Sequence, residues 1–154
     1  AATGEEAVAG ADLICTTTSA TEPVVLGAWV SAGAHINAVG AYTPATRELD
    51  SALVAGARLY ADRRESLLSE AGELLIPKGE GLIGDDHIVG EIGEVLLGRA
   101  PARTSPDEIT LFKSLGIAIE DLAAAHHVYT RARERELGAW LEIGGRHFGS
   151  AVEG

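Results

Sequence analysis

Three short β-prone runs recur within the first 62 residues, with only short connections between them, and this spacing restricts the fold more than any other feature. Residues 13–18 (Leu-Ile-Cys-Thr-Thr-Thr), 35–39 and 58–62 (Arg-Leu-Tyr-Ala-Asp) are rich in β-branched, aromatic and small apolar side chains. Between the second and third runs, Thr46 is placed to cap a helix through Ala55, with Gly56 at the C′ position. Residues 5–10 read as the end of an earlier helix closed by Gly10. Strand, short link, strand, helix, strand calls for parallel pairing with crossovers, hence an α/β sheet.

The rest of the chain reads as more helical. Residues 63–71 carry Leu67 and Leu68 on a charged background, and the glycine-rich residues 77–84 read as a loop. Asp85 or Asp86 is expected to cap a helix to about Leu97, with Ile88, Ile92, Val95 and Leu96 on one face and Gly98 ending it. Ser105-Pro106-Asp107-Glu108 fits a capping box, but it fits equally a turn before a strand over residues 109–114 (Ile-Thr-Leu-Phe-Lys-Ser). Residues 116–137 form the longest predicted helix, with Glu120 and Asp121 near its start and Arg131, Arg133 and Arg135 near its end, as the helix dipole favours. The tail beyond Gly138, with Trp140, Leu141, Ile143 and Phe148, is expected to pack.

Charge narrows the partners. The net charge of −11, from 23 acidic and 12 basic residues, argues against nucleic acid and against an anionic membrane surface. No apolar run reaches transmembrane length, and no signal peptide opens the chain. The single Cys15 has no internal disulfide partner, so a reducing, cytoplasmic setting is expected. The chain holds no Met and opens at Ala1, from which a missing start is expected.

Three segments follow apparent strand ends, where open α/β sheets bind ligands. Thr16-Thr17-Thr18-Ser19 offers four hydroxyls able to hold a ribose, a phosphate or a nicotinamide edge. Gly40-Ala41-Tyr42-Thr43-Pro44 offers backbone that can approach a flat ring. Lys113-Ser114-Leu115-Gly116 offers a hydroxyl for a carboxamide and an ammonium for a carboxylate. Each also reads as an ordinary turn. His35 reads as structural. His87, His126 and His127 lack metal-ligand spacing, so no metal is expected. No nucleophile elbow, Walker loop or paired-cysteine motif occurs.

The order of several blocks is specific. Ala11-Asp12-Leu13-Ile14 leads to Thr16-Thr17-Thr18 and Thr21-Glu22-Pro23, then Gly33-Ala34-His35-Ile36-Asn37-Ala38-Val39-Gly40 and Arg47-Glu48-Leu49-Asp50. Glu91-Ile92-Gly93-Glu94 and Thr110-Leu111-Phe112-Lys113-Ser114-Leu115-Gly116 follow, with Glu120-Asp121. From about Gly10 to the long helix the chain resembles the ornithine cyclodeaminase/mu-crystallin family.

The resemblance implies the C-terminal part of a Rossmann-type doubly wound sheet plus a long return helix. Residues 1–115 would be a partial NAD(P)-binding domain. Residues 116–154 would form a helix and tail packed on an N-terminal domain. That domain and the glycine-rich βαβ unit are absent from this sequence and expected upstream. The implied cofactor is NAD or NADP, the partner a small amino or imino acid, and the full-length assembly a homodimer. Thr16 and Thr18 would line the cofactor, Ala38, Val39 and Gly40 would pass beside it, and Ser114 would touch its nicotinamide end. Glu70 would face the substrate pocket, with Lys113 as a neighbour.

The cyclodeaminase branch of the family carries an Asp two residues after the glycine that ends the second run. Tyr42 stands there instead. A phenol is a poor general base near neutral pH. The resemblance therefore implies reduction of a cyclic imine carboxylate (ketimine or 1-pyrroline-2-carboxylate) by NAD(P)H, with Tyr42 as the catalytic residue. Ornithine cyclisation with loss of ammonia is the alternative, and a non-catalytic NADPH- or ligand-binding protein is a third. The chain by itself is expected to be inactive and poorly stable.

Overall fold

The computed structural model describes residues 1–141. They fall into two compact units, Ala1–Ile117 and a second beginning at Ala118. The first is built on five parallel strands in the order β1-β2-β5-β3-β4. In chain order, α1 (Gly4–Val8) is followed by β1 (Leu13–Thr16), β2 (His35–Ala38), α2 (Ser51–Gly56) and β3 (Arg58–Ala61). Then come α3 (Arg64–Glu70), α4 (Gly72–Gly79), β4 (Ile88–Glu91), α5 (Ile92–Leu96) and β5 (Thr110–Lys113). The second unit contains α6 (Ala118–Glu134).

Alternation along the strands divides their side chains between two faces. Ile14, Ile36, Leu111 and Leu59 share one face and meet Leu49, Leu53, Val54, Leu67 and Leu74 in a single buried cluster. Fully burying each such side chain contributes roughly 1.5–3 kcal/mol. The opposite face is covered unevenly. Over β3 and β5, Tyr60 and Phe112 line a cavity of about 130 Å³ with Ile92 and Val95 of α5, so helices lie on both faces of the sheet. Over β1, Leu13 and Cys15 are exposed.

Several boundaries differ from expectation. Thr46 does not cap α2. Its Oγ1 accepts from the Thr43 N–H at 3.1 Å and closes a turn. Residues 47–49 stay extended because Leu49 bridges to Val25 and is fully buried. The helix begins only at Ser51, where the Asp50 carboxylate accepts from the Leu53 N–H at 3.0 Å. Gly56 is the last residue of α2, not its C′ glycine; Ala57 is the cap. Pro77 lies inside α4, not in a loop.

The helix expected from Asp85 to Leu97 is three elements. A 3-10 turn (Asp85–His87) leads into β4, and α5 starts afterwards with a reciprocal Glu91–Glu94 capping box. Ile88 and Gly90 are buried and alternate with half-buried Val89 and Glu91, as in a strand. β4 pairs with β3 through a register shift that sets Ile88 opposite Leu59 and Gly90 opposite Tyr60. Ser105–Glu108 forms the turn, and β5 follows it.

Gly79-Glu80-Gly81-Leu82-Ile83-Gly84 does carry Gly-x-Gly-x-x-Gly spacing. It leads from α4 towards β4, the reverse of the strand-to-helix order in which such glycines expose helix N-terminal amides to a pyrophosphate.

In the second unit, α6 is shorter than residues 116–137, and Glu136 beyond it adopts φ 53°. Ile119, Leu122 and Val128 are exposed, as are Trp140 and Leu141 in the tail. Ile143 and Phe148 lie outside the described residues. No helix of the described residues is long and apolar enough to cross a membrane.

Candidate functional site

The pairing register brings the strand ends to one level. Thr16 aligns with Ala38, Ala38 with Lys113, Lys113 with Ala61, and Ala61 with Glu91. The segments after Thr16, Ala38, Ala61 and Lys113 therefore meet at one rim, the carboxyl edge of a parallel sheet. Exposed Thr17, Thr18, Val39 and Tyr42 stand on it.

Glu48, itself fully buried, holds the first two of these segments together. Its Oε2 accepts from the Thr16 hydroxyl at 2.8 Å, the Gly40 N–H at 2.8 Å and the Ala41 N–H at 3.3 Å. Its Oε1 accepts from the Thr18 N–H at 2.5 Å. Burial alone would raise the Glu48 carboxyl. Bonds from the Thr18 N–H, the Thr16 and Thr18 hydroxyls and the Gly40 N–H outweigh it and hold the group below the usual carboxylate range. Glycine at position 40 is a packing requirement, since a Cβ there would sit 2.1 Å from the Thr18 carbonyl oxygen and 2.2 Å from its nitrogen. Gly72 has the same role beneath the loop, where a Cβ would lie 2.1 Å from the Thr46 carbonyl oxygen.

Asp62, buried at the end of β3, organises the exit of β5. Its Oδ2 accepts from the Ser114 hydroxyl at 3.0 Å and from the Leu115 and Gly116 N–H groups at 2.7 Å each. Lys113 is fully buried and donates to the Ala41 carbonyl; its Nζ is 3.4 Å from Glu73 Oε2. Glu73 in turn accepts from the Glu48 N–H at 2.9 Å.

The residues singled out from sequence thus divide. Thr18, Val39 and Tyr42 are exposed on the rim, and Gly40 is backbone beside them. Thr16, Ala38 and Ser114 are buried directly beneath, with the Thr16 and Ser114 hydroxyls turned to the carboxylates of Glu48 and Asp62. Lys113 faces inward, not into an open pocket. Glu70 is exposed at the end of α3, two residues before Gly72. Glu48, Asp62 and Glu73 were missed as site residues. Of the three, only Glu48 lies in a block that carries the family resemblance, Arg47-Glu48-Leu49-Asp50. His35 bonds within the sheet, Nδ1 to Thr110 Oγ1 at 2.7 Å and Nε2 to Asn37 Oδ1 at 3.2 Å. Among the described residues no group of three His, Cys, Asp or Glu side chains is placed to hold a metal.

The rim fits a flat, polar-edged ligand. Val39 offers an apolar surface that is 45% exposed, and Thr18 and Tyr42 offer hydroxyls beside it. The loops behind them are pinned by buried carboxylates, so little reordering is needed on binding.

Comparison with known proteins agrees with this architecture. Ketimine reductase mu-crystallin of Mus musculus is 53% identical over 125 residues, covering 81% of this chain and 37% of that protein. The structure of Thermococcus litoralis Delta(1)-pyrroline-2-carboxylate reductase in complex with NADH and L-proline superposes with a TM-score of 0.81 at 41% identity, over 90% of this chain and 43% of that one. An archaeal alanine dehydrogenase dimer with bound NAD superposes with a TM-score of 0.77 at 37% identity, over 92% of this chain and 43% of its own. The chain therefore spans less than half the length of each of these relatives. The sequence profile of the ornithine cyclodeaminase/mu-crystallin family matches residues 1–136, and the chain belongs to that family.

Proposed function

We propose that the rim binds the nicotinamide end of NAD or NADP, and that the protein carrying this chain reduces a cyclic imine carboxylate of the ketimine or 1-pyrroline-2-carboxylate class. The observation that carries the reading is Tyr42, exposed on the loop after β2 at the position where the cyclodeaminase branch has an Asp. Names of relatives support it: a ketimine reductase and a pyrroline-2-carboxylate reductase are among the most similar.

When bound, NAD(P)H would supply the hydride needed at the imine carbon, and with the proton already on the imine nitrogen the product would be the cyclic amino acid. Val39 and Gly40 give the ring a surface to lie against, and Thr18 offers a hydroxyl to its polar edge. Thr16, Ala38 and Ser114 act from below: Thr16 and Ser114 through Glu48 and Asp62, Ala38 by accepting from the Ser114 N–H at 3.1 Å. Tyr42 donates a hydrogen bond to the substrate and helps exclude water. Glu70, exposed where α3 ends, is assigned to the substrate side. Lys113 supports the loop and does not touch substrate. The remaining part of the protein completes the substrate pocket, receives the helix from Ala118 onward, and forms a homodimer in a cytoplasmic setting. This chain alone is inactive.

The test is NAD(P)H oxidation by the full-length protein with cyclic imine carboxylates, alongside ammonia release from ornithine. Turnover with an imine supports the reading. Ammonia release without net cofactor consumption replaces it with the cyclodeaminase. Tight NADPH binding without either reaction replaces it with a binding protein.

A further inference from the structure

Ala41 has both of its backbone polar groups held by buried charges. Its N–H donates to Glu48 Oε2 at 3.3 Å, and its carbonyl accepts from the Lys113 ammonium. Tyr42 is the next residue. Lys113 reaches Ala41 from the rim row, where its aligned neighbours are Ala38 on one side and Ala61 on the other, both fully buried. Two small side chains flanking a long one leave room for it to run along the sheet end to the loop.

Stability alone does not account for this pair. Taking two charges out of water is costly, and apolar residues of similar volume commonly serve as well or better. The Lys113–Glu73 pair is also imperfect. At 3.4 Å it lacks hydrogen-bond alignment, so among the described residues Glu73 Oε2 has no hydrogen-bond partner. What an apolar pair lacks is a donor for the Ala41 carbonyl and an acceptor for the Glu48 N–H, which Glu73 Oε1 provides at 2.9 Å.

We propose that Lys113 is a positioning residue: its buried ammonium, balanced by Glu73, fastens the end of β5 to the Ala41 carbonyl and so fixes the loop that presents Tyr42 at the rim. The proposal rests on the imine-reductase reading for what Tyr42 does, but not for the fastening itself. Lys113 and Glu73 touch neither cofactor nor substrate.

The test is amide hydrogen exchange across residues 38–46 in the full-length protein, combined with turnover and melting temperature. In the wild type, the Gly40 and Ala41 amides exchange as slowly as those of β2. In Lys113→Met, exchange there rises about tenfold or more while β3 and α2 stay protected. In the same variant kcat falls about 100-fold, the scale expected when a reacting geometry is displaced, with little change in KM. The double variant Lys113→Met/Glu73→Gln removes both charges. Its melting temperature recovers, but its loop exchange and kcat do not. Recovery of all three in the double variant would mean that Lys113 only balances charge, and would overturn the proposal. So would fast Gly40 and Ala41 exchange in the wild type, a result that needs no variant to fold. A wild type with slow loop exchange but no imine turnover would sink the reductase reading and leave the fastening intact.

Discussion

The Thr16 hydroxyl donates to Glu48 Oε2 at 2.8 Å, across 32 residues of sequence, inside the protein and directly under the edge where a ligand would lie. The same oxygen accepts from the Gly40 and Ala41 N–H groups. One carboxylate thus locks the exits of β1 and β2 together.

Removing that carboxylate leaves the Thr18 and Ala41 N–H groups and the Thr16 hydroxyl without their acceptor, and the Gly40 N–H with only the Thr16 carbonyl at 3.2 Å. A buried polar group left unsatisfied costs about 1–3 kcal/mol. Glu48→Ala is expected to lose about 3 kcal/mol or more, because several are stranded at once. Glu48→Gln, which keeps one acceptor oxygen, should lose less. Urea denaturation of both variants checks the order; equal losses would contradict the hub.

The same group sets a pH dependence. Glu48 is held below its ordinary value of 4.5 in the folded protein, so the unfolded chain binds its proton first. The stability it contributes is present above 4.5 and lost as pH falls through the lower folded value. Stability followed from neutral pH to pH 3 should therefore fall more steeply in the wild type than in Glu48→Gln, the excess appearing below 4.5. Parallel curves would assign the acid sensitivity to other carboxylates.

Two glycines should respond oppositely to alanine. Gly40→Ala forces a Cβ to within 2.1 Å of the Thr18 carbonyl oxygen, so the two strand exits must separate. A loss of about 2 kcal/mol is expected, together with weaker NADH binding. Gly56→Ala meets nothing within 4 Å, and Gly56, the last residue of α2, is not at positive φ, so a gain of about 0.5–1 kcal/mol is expected. Thermal melts and NADH fluorescence titration read both.

Asp62 should matter for the third exit. Asp62→Ala strands the Leu115 N–H and the Ser114 hydroxyl and leaves the Gly116 N–H with only Ser114 Oγ, at 3.2 Å. About 2–3 kcal/mol of stability should be lost. Ser114→Ala removes one donor to Asp62 and the second acceptor of the Gly116 N–H, which keeps Asp62, and should cost about 1 kcal/mol. If Ser114→Ala instead abolishes NADH binding at unchanged stability, its hydroxyl turns from Asp62 to the cofactor on binding.

The strands that frame the site could be read from the sequence because their apolar runs are short and bounded by turn residues: Leu13 to Thr16, His35 to Ala38, Arg58 to Ala61. β4 could not. Ile88, Ile92 and Val95 satisfy helical spacing, and only pairing with β3 assigns Ile88 to a strand. The start of α2 was misplaced for a similar reason, since the Val25–Leu49 bridge that delays it joins residues far apart in sequence. Of the site, the exposed members were legible as residues following strand ends. The buried carboxylates were not. In a chain with 23 acidic residues, Glu48, Asp62 and Glu73 look like solvated surface until the fold encloses them. Lys113 reads from sequence as a neighbour of the substrate side with an ammonium for a carboxylate, whereas the alternation of β5 puts it with Leu111 on the core face, fully buried.

The central claim is that Tyr42 stands at the rim of an imine reductase and not of a cyclodeaminase. The most direct measurement is the steady-state rate of NAD(P)H oxidation by the full-length protein with 1-pyrroline-2-carboxylate, with ornithine deamination measured on the same sample. The account predicts stoichiometric oxidation of cofactor with the imine, a fall of about 10–100-fold in Tyr42→Phe, and no ammonia from ornithine. Ammonia released from ornithine with no net loss of NAD(P)H, and no oxidation with any cyclic imine, would contradict it.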